Sequence, residues 1–132
     1  MVSRIKTQLY ELITGLGYRV ADVRPNTEPL PWLLIRTGGH NRTDTMDLRY
    51  DVITINVDIF SAYSGEKEIL EIIENISNHI QELKLTNDTI IYAEQKTCKI
   101  IDDEKTGPCR KHGIASFRFL CSSGLVDKEV AE

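Results

Sequence analysis

The chain has 132 residues, 41% of them apolar and 27% charged, with eight glycines and four prolines. That size and balance describe one globular domain able to bury its own core without a metal or disulfide staple, and exclude disordered, fibrous and low-complexity chains. Sixteen Lys and Arg against twenty Asp and Glu leave a formal charge of −4, which argues against nucleic-acid specificity because such binders carry a basic excess that displaces phosphate counterions.

No apolar run reaches the roughly 18–20 residues that span a bilayer, so no membrane role is expected. The opening stretch, MVSRIKTQLYELI, lacks a continuous apolar segment and does not read as a secretory signal. Within it Val2, Ile5, Leu9, Leu12, Ile13 and Leu16 recur at helical spacing and predict an amphipathic helix. Ser3 is its expected cap, with Gly15 and Gly17 as its stop. Tyr18 to Val23 reads as a short strand closed by Arg24-Pro25-Asn26.

Pro31 delivers the chain into Trp32-Leu33-Leu34-Ile35, an apolar run fit for a buried strand. The polar stretch TGGHNRTDTMD follows from Thr37, with Gly38-Gly39 as a hinge and no periodicity of its own. It reads as the flexible tip of a long β-hairpin whose second strand runs from Leu48 to Phe60.

That second strand changes parity. Ile53, Ile55, Val57 and Ile59 alternate with polar residues, whereas Leu48, Tyr50 and Val52 fall on the opposite set of positions. Because side chains alternate with period two, the switch predicts either a bulge near Val52 within one packed sheet or a projecting arm that shows apolar residues to something else.

A second helix is expected from about Gly65 to Leu83, capped by Ser64, with Ile69, Ile72, Ile73, Ile76, Ile80 and Leu83 on one face. Glu66, Glu68, Glu71 and Glu74 crowd its first half, where they complement the helix dipole. Asn87-Asp88 turns into a strand over Thr89–Ile101, and a charged loop over 102–113 leads to a last strand. There Ala115, Phe117, Phe119 and Cys121 alternate with Ser116, Arg118 and Leu120. The architecture predicted is α+β: a mainly antiparallel β-sheet with two amphipathic helices packed on one face and a long projecting β-hairpin. Residues 1–124 form a single α+β domain and 125–132 a short charged tail.

Catalytic, cofactor and metal residues are all expected to be absent. Cys98, Cys109 and Cys121 form no CxxC pair and suit a reducing compartment as inert buried or half-buried thiols. His112 follows Cys109 by three positions, yet a zinc site needs four ligands in paired spacings and a loop seldom fixes a Cys–His nucleophile. Gly15-Leu16-Gly17 has neither a preceding strand nor a following Lys-Ser/Thr, so it is a helix stop and no phosphate loop. Glu71 and Glu74 lie opposite the isoleucine stripe, on a solvated face where general acid–base work is unfavourable. Asp102-Asp103-Glu104 is balanced by Lys105, Arg110 and Lys111. The remaining histidines, His40 and His79, fall in the hairpin and the second helix.

Trp32, Tyr50, Phe60, Phe117 and Phe119 read as packing residues, with an interface anchor as the alternative for Trp32. Positive residues of the hairpin (Arg36, His40, Arg42, Arg49) are largely offset by Asp44, Asp47 and Asp51. Such mixed signs suit registration between protein subunits better than phosphate binding. The candidate assembly interface is therefore Arg36, His40, Arg42, Asp44, Asp47, Leu48, Arg49 and Tyr50.

The run Leu30-Pro31-Trp32-Leu33-Leu34-Ile35-Arg36-Thr37-Gly38, followed after the polar tip by Tyr50 to Phe60, resembles the tail terminator, or tail-completion and head–tail joining, proteins of long-tailed bacteriophages of the lambda-like type. The likeness extends over the order of elements along nearly the whole chain. It implies a structural virion protein, with no enzymatic activity and no cofactor, that forms a six-fold ring on the head-proximal end of the tail tube. Such a ring stops tube polymerisation and joins the capsid connector. Its partners would be further copies of itself (a hexamer), the tail tube protein and the head connector protein, with assembly in the host cytoplasm and a final place in the virion tail. The alternative reading is a small cytoplasmic ligand-binding or regulatory α+β module, which would need a concave apolar pocket with convergent polar groups.

Overall fold

In the computed structural model the described residues are 2–21, 31–44, 48–80, 83, 89–102 and 111–125. Helix α1 covers Val2–Gly15, followed by the short strand β1 (Val20–Ala21), β2 (Trp32–Asp44) and β3 (Leu48–Ser61). Helix α2 covers Lys67–His79, and β4 (Thr89–Asp102) and β5 (Lys111–Leu125) close the fold.

Helix α1 starts at Val2, so Ser3 lies inside the first turn rather than before it. Its end is set by Gly17, the sole residue with a left-handed backbone among those described, at φ 99°. The Tyr18 amide donates to the Ile13 carbonyl and the Gly17 amide to that of Thr14. This paired closure satisfies the last carbonyls, and a glycine makes it at no steric cost. Helix α2 begins at Lys67, two residues later than its isoleucine spacing predicts, and Glu66 occupies the cap position without a capping side-chain bond. Ser64 is not the cap: it remains in the bend before the helix. Ser61 ties this entry down instead, donating to Glu68 and accepting from the Tyr63 amide.

The strands form one sheet in the order β1-β2-β3-β5-β4, antiparallel except for the β1–β2 pair. Residues directly opposite one another share a face. One face carries Leu33, the alternating Ile53, Ile55, Val57 and Ile59, and Ala115, Phe117, Phe119 and Cys121, all buried. Ile5, Leu9 and Ile13 of α1 and the isoleucines of α2 close over it as a single core. Both helices therefore lie on the same face of a mainly antiparallel sheet, in an α+β arrangement.

The segment from Thr37 is strand rather than a tip without regular structure: β2 runs through Gly38-Gly39 to Asp44, and residues 45–47 lie outside the described residues. A bulge between Thr37 and Gly39 absorbs the irregular pattern. A Cβ on Gly38 would stand 3.0 Å from Thr54 Cγ2 and 3.1 Å from Asn56 Nδ2, so glycine admits the close approach.

Strand β3 has no extra residue near Val52. The inserted residues are on its neighbours, Gly38 in β2 and Ser123 in β5. The parity switch is a change of which face is apolar. Beyond Ile53, buried Asp51 takes the helix-bearing face while half-buried Val52 and Tyr50 stand on the far face. At about 3.3 Å per residue the hairpin strands are roughly 45 Å long, against roughly 20 Å for either helix, so the sheet overhangs its helical layer. The overhang is not a bare two-stranded arm, because β5 follows β3 as far as the Leu48↔Leu125 pair.

Strand β1 is shorter than Tyr18–Val23, and 22–30 lie outside the described residues. Asp102 and Lys111, expected in a loop, are paired strand residues joined by a side-chain ion pair. Leu125 belongs to β5, and residues 103–110 and 126–132, including Cys109, lie outside the described residues.

Candidate functional site

Alternation along β2 and β3 sorts the candidate interface residues between the two faces. Arg36 stands on the far face opposite Asn56, one step from Asp58. Its guanidinium forks onto the Asp58 carboxylate, with Nε to Oδ2 at 2.7 Å and Nη2 to Oδ1 at 2.9 Å. The Nε2 atom of His112 lies 3.8 Å from Asp58 Oδ1, close for a charge pair but too long for a hydrogen bond. That nitrogen is buried and without a hydrogen-bond partner. Burial pushes the Asp58 carboxyl up, yet the His112 imidazole and the Arg36 guanidinium together outweigh it and hold the group below the usual carboxylate range. The hydrogen bond to Asp58 in turn raises the Arg36 guanidinium.

An aromatic row crosses three strands beside this pair. Trp32 stacks on Phe60, and Phe60 on His112, each at 4.3 Å between ring centres. Trp32 is buried in this row, so it packs within the sheet rather than standing out as an anchor. Further along the far face Ser116 donates to Asn56 Oδ1 at 2.7 Å, and Arg118 pairs with Glu94. At its distal end this face turns apolar, with Val52 opposite Leu120 and Tyr50 opposite Ser122, all half-buried.

His40 and Arg42 stand on the other, helix-bearing face. The Nε2 of His40 is 2.8 Å from Asp51 Oδ1, and the Nε of Arg42 is 3.9 Å from the same oxygen. Asp51 is thus the buried member of a small charged cluster and not merely a balancing surface charge. Asp44 pairs with Arg49 in the strand register and Leu48 with Leu125; Asp47 lies outside the described residues. The eight candidates therefore do not form one patch. Arg36 and Tyr50 belong to the far face, and His40 and Arg42 to the helix-bearing face.

Asp58 and His112 organise the far face, and no sequence pattern ties them to Arg36. The only cue is a charged residue between Val57 and Ile59 on the side opposite the core. Cys121 is buried as expected, but Cys98 is exposed, because its position on the edge strand β4 has a neighbour on one side only. Partial desolvation, then the charge of Glu66, pushes its thiol up. His79 Nδ1 is 2.8 Å from the Asn75 carbonyl, a bond within α2. Among the described residues no group of three His, Cys, Asp or Glu side chains is placed to hold a metal, and no helix is long and apolar enough to cross a membrane.

Two open hollows flank the helices. One, of about 390 Å³, lies at the start of α2 and is lined by Tyr63, Ser64, Gly65, Lys67, Glu68 and Glu71. The other, of about 380 Å³, lies between α1 and the β1–β2 edge, against Lys6, Thr7, Tyr10, Val20, Ala21 and Ile35.

No curated protein matches the sequence. The family of tail completion protein gp17 matches it over residues 4–122, a span that runs from the first turn of α1 into the last residues of β5, and the chain belongs to this family of phage tail completion proteins.

Proposed function

We propose that the protein closes the head-proximal end of the finished tail tube, stops further tube polymerisation and presents the surface to which the head connector joins. It acts as a ring of six copies, carries out no chemistry, and passes from the host cytoplasm, where it assembles, into the virion tail. Family membership gives the setting. The observation that carries the reading is the half-buried apolar row Tyr50, Val52 and Leu120 at the overhanging end of the sheet. Half-buried apolar side chains on the face away from the helices gain by burial against a partner. Mixed charges on both faces of the same hairpin supply registration.

Co-sedimentation with tail tubes polymerised from the tube protein of the same phage tests this. The wild-type chain is expected to pellet with tubes at a fixed, low ratio set by tube ends. Binding along the whole tube length, or none, would contradict the reading.

A further inference from the structure

The two edges of the domain are unlike. On α2, the Asn75 side chain donates to the Tyr18 hydroxyl, so that flank faces the α1 side. Ser77 on the other flank donates to Gln95 of the edge strand β4. At 100° per residue Glu66, Leu70, Glu74 and Ser77 share this outer flank. Leu70 is 47% exposed, whereas Ile69, Ile72, Ile73 and Ile76 of the same helix are buried. The outer flank of α2 is thus one apolar knob between two exposed carboxylates.

The opposite edge of the sheet carries the hollow between α1 and β1–β2. Tyr10, 46% exposed, and half-buried Val20, Ala21 and Ile35 give it an apolar wall, and Lys6 supplies a positive rim. We infer that the Leu70 flank of α2 on one copy seats in this hollow on the next copy, with Lys6 facing Glu66 and Glu74. The occupant is a second copy of this chain because the two surfaces are opposite in sign and each presents exposed apolar side chains, Leu70 on one and Tyr10 on the other. A leucine side chain fits readily within the hollow, and an acidic flank meets a basic rim. The contact is heterologous, joining opposite edges head to tail, and such contacts generate rings when the rotation closes. The inference rests on the ring reading above and names the contact that builds the ring.

The test is the assembly state of the full chain, free and on tail-tube ends, by sedimentation velocity and electron microscopy. Leu70→Asp is expected to weaken self-association at least roughly tenfold while leaving the circular dichroism and melting curve of the monomer unchanged, since Leu70 is exposed. Lys6→Glu is expected to act in the same direction, and Lys6→Glu combined with Glu74→Lys to restore association. A Leu70→Asp protein that assembles as strongly as wild type, or a charge swap that rescues nothing, overturns the contact alone. A wild-type chain that stays monomeric both in solution and on tube ends overturns the ring reading and this contact with it.

Discussion

The imidazole Nε2 of His40 meets Asp51 Oδ1 at 2.8 Å across the β2–β3 pair, where the carboxylate is 4% exposed and the imidazole 38%. Asp51 stands in line with Ile53, Ile55, Val57 and Ile59, at the point where their apolar row ends. A buried carboxylate is tolerated when a partner satisfies it and is costly when that partner is removed. His40→Ala should therefore destabilise the fold by about 1–2 kcal/mol, and Asp51→Leu, which extends the apolar row, by less. Urea unfolding of the two variants measures the order, and the reverse order would contradict this account.

Gly113 is fixed by helix packing. A Cβ there would stand 2.5 Å from Ile69 Cγ2, a branched methyl that cannot swing aside within the core. Gly113→Ala should cost about 1–3 kcal/mol by forcing α2 off β5. At Gly39 a Cβ would meet nothing within 4 Å, so Gly39→Ala should change stability by less than about 0.5 kcal/mol. Denaturant midpoints of the two alanine variants compare them directly.

The Asp58 cluster gives a pH dependence of definite sign. Because the folded carboxyl is held below its usual range, its stabilising contribution is present above the unfolded carboxylate value, about 4, and is lost as pH falls through the lower folded value. Asp58→Asn should be less stable than wild type by about 1–2 kcal/mol at neutral pH, a figure moderated by the half-exposed Arg36. The gap should narrow below about pH 4 and shrink with added salt. Unfolding curves across that range would contradict the assignment if the gap widened on acidification.

At the sheet's distal end, Tyr50→Ala removes a half-buried ring from the far face, and Leu48→Ala changes the first residue of β3. Tyr50 does not belong to the core cluster. Both variants should keep the wild-type melting temperature to within a few degrees and lose attachment to tail tubes. Retained attachment would remove the distal hairpin from the interface.

The isoleucine stripe of α2 and the Phe117–Phe119 alternation of β5 were legible in the sequence because each buries one face at its own period, 3.6 or 2. The strand character of Thr37–Asp44 was not. Its residues line an edge region with little apolar demand, and the bulge at Gly38 shifts whatever alternation remains. Glycine at 113 reads locally as a turn residue, since the side chain that requires it, Ile69, is distant in sequence. The hairpin's charges were visible, but their sorting was not. Arg36 and Asp58 are separated by 22 positions and meet only once the strand register is set.

The most direct test of the central claim is electron microscopy of tail tubes polymerised with and without the protein. The account predicts tubes of uniform length, each bearing a six-fold ring at one end when the protein is present, and continued growth when it is withheld. Tubes of unbounded length in the presence of saturating protein, with no density at either end, would contradict it.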